Sequence, residues 1–376
     1  MTPSLNRIDR IRPDAPSLAV RGLFPVGVRT VQMNATPTRC LDVEVWYPAA
    51  QATPPGTSYR TLLRDGITET VLNGAACRDG GCAEGIAAPL IVLSHGYPGN
   101  RYLMAHFAEC LASKGFVVAA PDHPGSTYDD QQHFGVTLLH RPLDQRAVID
   151  GMAALPGDLG ALTDTTQTGV IGFSMGGYGA LILGGAGLAT TALTHEGAPK
   201  DGSLAQHLSG SDSHRDLLDP RVKAILPIGP WGNAQGMWDA AGLAGLQVPM
   251  LLMAGSEDDV SGYSAMRNIF ENTTRTERHL LSFHSAGHNA AAPIPAPEES
   301  WAHSEVLGWA PFRHYADPVW DMLRMNNIAQ HFAAAFFGLH LQNDPAMRDY
   351  LIPERWKGFE GGQPAGLMLE QREAGA

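Results

Sequence analysis

The stretch Val170-Ile171-Gly172-Phe173-Ser174-Met175-Gly176-Gly177-Tyr178-Gly179 constrains this chain more than any other. An apolar run arrives at Gly172. A serine then stands between glycines in the order G-x-S-x-G, and Gly179-Ala180-Leu181-Ile182-Leu183 reads as helix. The pattern predicts a strand, a tight turn and a helix, with Ser174 held in a strained backbone conformation at the corner. The flanking glycines have a steric role, because a Cβ at those positions would meet the neighbouring strand and helix. The serine oxygen is then pushed out beyond the sheet. The N–H of Met175, at the start of the helix, points into the same space.

The rest of the chain supplies the sheet that such a corner needs. Val26–Met33 and Cys40–Pro48 alternate in polarity and read as an opening antiparallel hairpin. Pro89–Ser94 and Phe116–Pro121 are continuous apolar runs, as expected for strands buried on both faces of a parallel sheet. Helical periodicity from Tyr102 to Lys114 separates them and stops at Gly115. Arg141-Pro142-Leu143-Asp144 reads as the first turn of a helix running to about Leu155, a position that suits proline. Further strands are expected at Val222–Ile228, Met250–Gly255 and His279–Phe283, the last of the sheet. A helix covers about Gly262 to Glu271, and another, Trp320 to Leu341, closes the domain. Strands alternating with helices imply an α/β fold with a mostly parallel central sheet and helices on both faces.

The expected organisation is an N-terminal arm over residues 1–20, one domain over 21–358 and a loose tail over 359–376. Three excursions interrupt the domain. Residues 49–87 are expected to carry one short helix near Tyr59–Arg64, 190–219 a short helix in a polar loop, and 291–318 a Pro- and Trp-containing rim. No internal repeat is evident.

Ligands of an open parallel sheet bind beyond the carboxyl ends of its strands. Ser174, Asp258 and His288 each follow such an end, in that chain order. A serine hydroxyl is a poor nucleophile at neutral pH and needs a neighbouring base. Imidazole titrates near neutrality, and a carboxylate fixes its tautomer by accepting from the other ring nitrogen. His284 competes with His288 for the role of base, and Asp259 with Asp258 for that of acid. The N–H of Tyr97, in the loop after Pro89–Ser94, is the choice for a second donor beside Met175. Pro98 has no N–H to offer. Tyr97, Trp231 and Trp301 are candidate pocket walls. His95, before Gly96, resembles the histidine of H-G motifs, which implies that it orients its loop, while His123, His195 and His214 are read as ordinary loop residues.

The motifs Val43-Glu44-Val45-Trp46-Tyr47-Pro48, Ser94-His95-Gly96, Pro121-Asp122-His123-Pro124-Gly125, Arg141-Pro142-Leu143-Asp144, Gly172–Gly177, Ala254–Asp258 and Gly287-His288 resemble the α/β-hydrolase superfamily. Within it the chain is similar to the dienelactone-hydrolase-like and platelet-activating-factor-acetylhydrolase-like esterases. The resemblance spans roughly residues 40–290. It implies a nucleophile elbow at Ser174, a catalytic triad with Asp258 and His288, and an oxyanion hole from the N–H groups of Tyr97 and Met175. It implies a serine carboxylesterase that works through an acyl-enzyme, with no metal or organic cofactor and a small-molecule ester as partner. Dienelactone hydrolases themselves use cysteine as nucleophile, so Ser174 argues against a dienelactone substrate. The same triad would also serve an amidase, a peptidase or an acyltransferase. A non-catalytic member binding an acyl ligand is the reading from another class. The choice of ester is expected to lie in residues 49–87, 190–219 and 291–318.

Composition excludes some partners. Lys and Arg number 26 against 38 Asp and Glu, a formal charge of −12, which argues against nucleic acid and anionic membranes. No run reaches the length of a membrane span. Met1–Arg12 has no apolar core of a secretory signal, so a cytoplasmic location is expected, with secretion or export left open for a chain whose leader has been removed. Cys77 and Cys82 stand at a spacing that a small disulfide loop would fit; no second ligand pair follows at zinc-site spacing, and Cys110 reads as a buried hydrophobe.

Overall fold

The computed structural model describes residues 6–132 and 134–375. Residues 1–5 of the expected arm lie outside the described residues. The strands are β1 (Val26–Thr36), β2 (Arg39–Pro48), β3 (Thr57–Leu62), β4 (Glu69–Gly74), β5 (Cys77–Arg78), β6 (Ala88–Ser94), β7 (Val117–Pro121), β8 (Thr163–Phe173), β9 (Val222–Ile228), β10 (Met250–Gly255), β11 (Arg278–Phe283) and β12 (Leu367–Arg372). The α-helices are α1 (Ala105–Ala112), α2 (Phe134–Ala153), α3 (Gly157–Leu162), α4 (Met175–Leu183), α5 (Asp212–Leu217), α6 (Ala240–Leu243), α7 (Tyr263–Asn272) and α8 (Met322–His340).

Ten of the strands form one sheet in the order β12-β11-β10-β9-β8-β6-β7-β2-β1-β5. From β11 to β7 neighbouring strands are parallel, and β2 and β12 flank that block antiparallel. The apolar runs of β6, β7 and β8 pack on both faces, and alternation divides them. Leu90, Val92 and Val170 face a core shared with α2 and α4, whereas Ile91, Leu93 and Ile171 face one shared with α1 and α8. The chain passes from β6 to β7 on one side and then to β8 on the other. The carboxyl ends of β6 and β8 therefore lie at the point where strand order reverses, where such sheets leave a crevice.

Three expectations change, and the open question of the Cys77–Cys82 pair is answered. Residues 57–62 are a strand, not a helix: β3 pairs with β4 in a separate hairpin, and Tyr59 turns inward to donate its hydroxyl hydrogen to Glu109 at 2.7 Å. Helix α2 starts at Phe134, so Pro142 lies inside it rather than in its first turn. Proline has no N–H to donate to the carbonyl four residues back, that of Leu138, which instead accepts from the Tyr178 hydroxyl at 3.1 Å. The tail is not loose throughout. Its β12 closes the edge of β11 over six paired residues, and Arg267 pairs with Glu370 at 2.5 Å. Cys77 and Cys82 are free thiols, as are Cys40 and the buried Cys110.

The described part of the arm is tied down by hydrogen bonds from Ile8 N to Asn73 O and from Leu18 N to His331 Nδ1. No helix among the described residues is long and apolar enough to cross a membrane.

Candidate active site at the strand-order reversal

Ser174 sits between β8 and α4 with φ 51° and ψ −110°, a region that side chains other than glycine rarely adopt. The surroundings hold it there. Its N–H donates to Ile228 O at 2.9 Å, and its carbonyl accepts from Tyr178 N and Trp231 N. A Cβ on Gly172 would stand 2.1 Å from the Gly176 carbonyl oxygen, and one on Gly176 would stand 2.0 Å from that of Ser94. Both positions thus require glycine for close approach. Met175 opens α4, so its N–H is among those with no partner inside the helix.

His288 follows β11, and Asp258 follows β10. His288 Nδ1 lies 2.8 Å from Asp258 Oδ2. A carboxylate only accepts, so the hydrogen is on Nδ1, and in the neutral ring this tautomer places the lone pair on Nε2. The other oxygen, Oδ1, accepts from the N–H groups of Val260 and Ser261 at 2.9 and 2.8 Å. Burial alone would raise the Asp258 pKa, but the His288 and backbone hydrogen bonds outweigh it and hold it below the usual carboxylate value. The His288 ring also packs over Phe173, with centroids 5.0 Å apart.

Ser174, Met175, His288, Gly96 and Tyr97 line one cavity of about 560 Å³. Part of its wall is aromatic: Tyr97, Phe134 and Trp231 form a chain of edge contacts at 5.1 Å each. Other wall residues are Arg64, Trp309, Arg313 and His314.

A family model described as the alpha/beta hydrolase fold matches residues 89–185. A ferulic acid esterase from Streptomyces cinnamoneus is similar in structure with a TM-score of 0.63 at 20% identity, over 91% of this chain and 95% of that one. The chain has the α/β-hydrolase fold. No curated protein sequence matches it.

Within that fold, the sequence-derived candidates divide. Ser174, His288, Met175, Tyr97 and Trp231 line the cavity, and Asp258 is bonded to His288 from behind. Trp301 does not line it. This tryptophan is 62% exposed and stacks on Phe312 at 3.8 Å, beside a separate groove. From the same excursion Trp309 lines the cavity instead. Asp259 lies on the cavity wall but is exposed, and His284 is exposed outside it. Residues 190–219 contribute no lining residue among those described; His195 packs behind Trp231 at 5.6 Å.

His123 is no ordinary loop residue. Its Nε2 lies 2.8 Å from Ser94 Oγ and its Nδ1 3.0 Å from Asp144 Oδ2, and Asp144 is held by two hydrogen bonds from Arg39 at 2.7 Å. This is a second serine–histidine–aspartate chain, with all three side chains buried and Ser94 away from the cavity. Burial lowers the His123 pKa to about 3, and Arg141 adds to this against the opposing Asp144. His123 is therefore neutral, accepting from Ser94 and donating to Asp144. Its N–H bonds His95 Nε2 at 3.2 Å, and His95 Nδ1 donates to Gly96 O at 2.7 Å. Buried Arg141 donates to the carbonyl oxygen of His95 and to Ser126 Oγ. The network grips the loop that leads to Tyr97.

Proposed function

We propose that the chain is a serine carboxylesterase with Ser174 as nucleophile, His288 as general base and acid, and Asp258 as the group that orients His288. The single observation that carries this reading is that the strained serine and the His288–Asp258 pair line or back the same cavity at the sheet's reversal point. The buried Ser94 chain has the same residue types but no access to substrate, which favours Ser174 as the reacting group.

His288 Nε2 takes the Ser174 proton as the oxygen attacks the ester carbonyl. The N–H groups of Tyr97 and Met175 receive the developing oxyanion, each donor lowering the barrier by about 3 kcal/mol. The imidazolium, stabilised by ionised Asp258, then protonates the leaving alcohol. Water enters, gives its proton to the same histidine and releases the acid. No step needs a metal or an organic cofactor. The likeness to a ferulic acid esterase and to the esterase families named above supports an ester, rather than an amide, as substrate.

The test is turnover of p-nitrophenyl esters by the wild type and by Ser174→Ala. The expected result is a burst of p-nitrophenol in the wild type and a loss of about 10⁴-fold or more in the variant, with an unchanged circular dichroism spectrum. Turnover by the variant within tenfold of wild type would overturn the proposal. Faster cleavage of the matched anilide would favour an amidase.

A further inference from the structure

Resting on the esterase reading, we infer that Arg64 is an anion-binding group in the site and that the natural ester carries a carboxylate on its acyl or alcohol part. Arg64 lines the same cavity as Ser174 and His288. Among the described residues the one hydrogen bond of its side chain goes from Nη1 to the carbonyl of Pro98, at 3.1 Å, and it forms no ion pair. A guanidinium carries five N–H donors. Burial lowers the Arg64 pKa, and the groups that oppose this are the tyrosines Tyr128, Tyr315 and Tyr97, not a carboxylate. A largely desolvated cation facing an open cavity without a counter-ion invites one from the substrate.

The cavity's own acids do not fill that role. Asp258 is committed to His288 and two backbone N–H groups. Asp317 accepts from Gly287, Val319 and Trp320 N–H groups. Glu257 and Asp259 are exposed, and neither pairs with Arg64. Meanwhile His314, on the same wall, bonds Tyr128 OH at 2.9 Å, and Arg313 adds a second cation to the lining.

The side chain is also mounted on a rigid support. Arg64 lies in the tip of the β3–β4 hairpin, where Asp65 accepts from Ile67 N, Thr68 N and Thr68 Oγ1. Asn100 donates to Thr61 Oγ1 at 2.7 Å and docks the hairpin onto the loop after Tyr97. The guanidinium is thus tethered at the cavity wall before substrate arrives. The apolar Tyr97–Phe134–Trp231 wall remains for the uncharged part of the ester.

Two substrate pairs test this. p-Nitrophenyl hydrogen glutarate is compared with p-nitrophenyl valerate, and 4-acetoxybenzoate with 4-acetoxybenzamide, each rate normalised to hydroxide-catalysed hydrolysis. At 10 mM salt the wild type is expected to favour the charged member of at least one pair by about tenfold or more in kcat/KM, the strength of a hydrogen bond to a charged group. That preference shrinks at high salt. Arg64→Gln, which keeps a donor for Pro98 but loses the charge, brings the ratio to near one, and Arg64→Lys restores part of it. A wild-type ratio at or below one in both pairs overturns the inference whatever the variants do, as does an unchanged ratio in Arg64→Gln. If none of the four esters, charged or neutral, shows Ser174-dependent turnover, the esterase reading itself has failed and the anion site falls with it.

Discussion

Ser174 is held at φ 51° by bonds to three neighbours, a conformation worth roughly 1–3 kcal/mol of strain. The two glycines around it were legible because carbonyl oxygens leave no space for a Cβ. The two adjacent acids have different surroundings. Asp258 turns back onto His288 and two N–H groups, while Asp259 points out to water. Asp258→Asn is expected to lower kcat by about 10⁴-fold by favouring the wrong histidine tautomer. Asp259→Asn is expected to stay within about threefold of wild type, and steady-state kinetics on one p-nitrophenyl ester would compare them. What could not be read was contact across the chain. Nothing local in Pro121–Gly125 says that His123 meets Asp144 and Ser94. Trp301 misled because a tryptophan in a rim excursion suits a pocket wall and a surface stack equally well.

At the scale of elements, the buried parallel strands were readable because both faces are covered and their sequences are apolar throughout. The strands at the margins were not. In β3 only Tyr59 is fully buried, and β12 shows the same weak alternation. Pro142 pointed to a helix start because sequence cannot foresee that Tyr178 will take over the orphaned carbonyl. Two predictions belong here. Ending the chain at Gly362 removes β12 and bares the β11 edge; a drop of several degrees in melting temperature and a tendency to aggregate are expected in a thermal scan. Asp144 joins β2, α2 and the β7 loop through Arg39 and His123. Burial would raise its pKa, but these partners bring it down to about 2. A depressed carboxylate contributes stability above its unfolded value, about 3.9, and loses it as pH falls toward 2. Asp144→Asn should therefore cost about 3 kcal/mol at pH 7 and flatten the acid limb of urea unfolding measured between pH 4 and 2.

At the scale of the molecule, one sheet runs from β5 to β12 and carries a core on each face. The arm and the last strand are tied to it. A single cooperative transition is expected in calorimetry, with equal calorimetric and van't Hoff enthalpies. The sheet also explains why the candidate site was more legible than its walls. Strand ends place Ser174, Asp258 and His288 by a rule of topology. The walls come from a hairpin tip and a Trp-containing excursion, Arg64 and Trp309 among them, whose positions depend on packing far along the chain.

Ser174, not the equally provided Ser94, is proposed as the reacting serine. A fluorophosphonate probe followed by peptide mapping tests it most directly. One adduct per chain is expected, on the peptide containing Ser174, kept in Ser94→Ala and lost in Ser174→Ala. An adduct on Ser94, or undiminished labelling of folded Ser174→Ala, would contradict it.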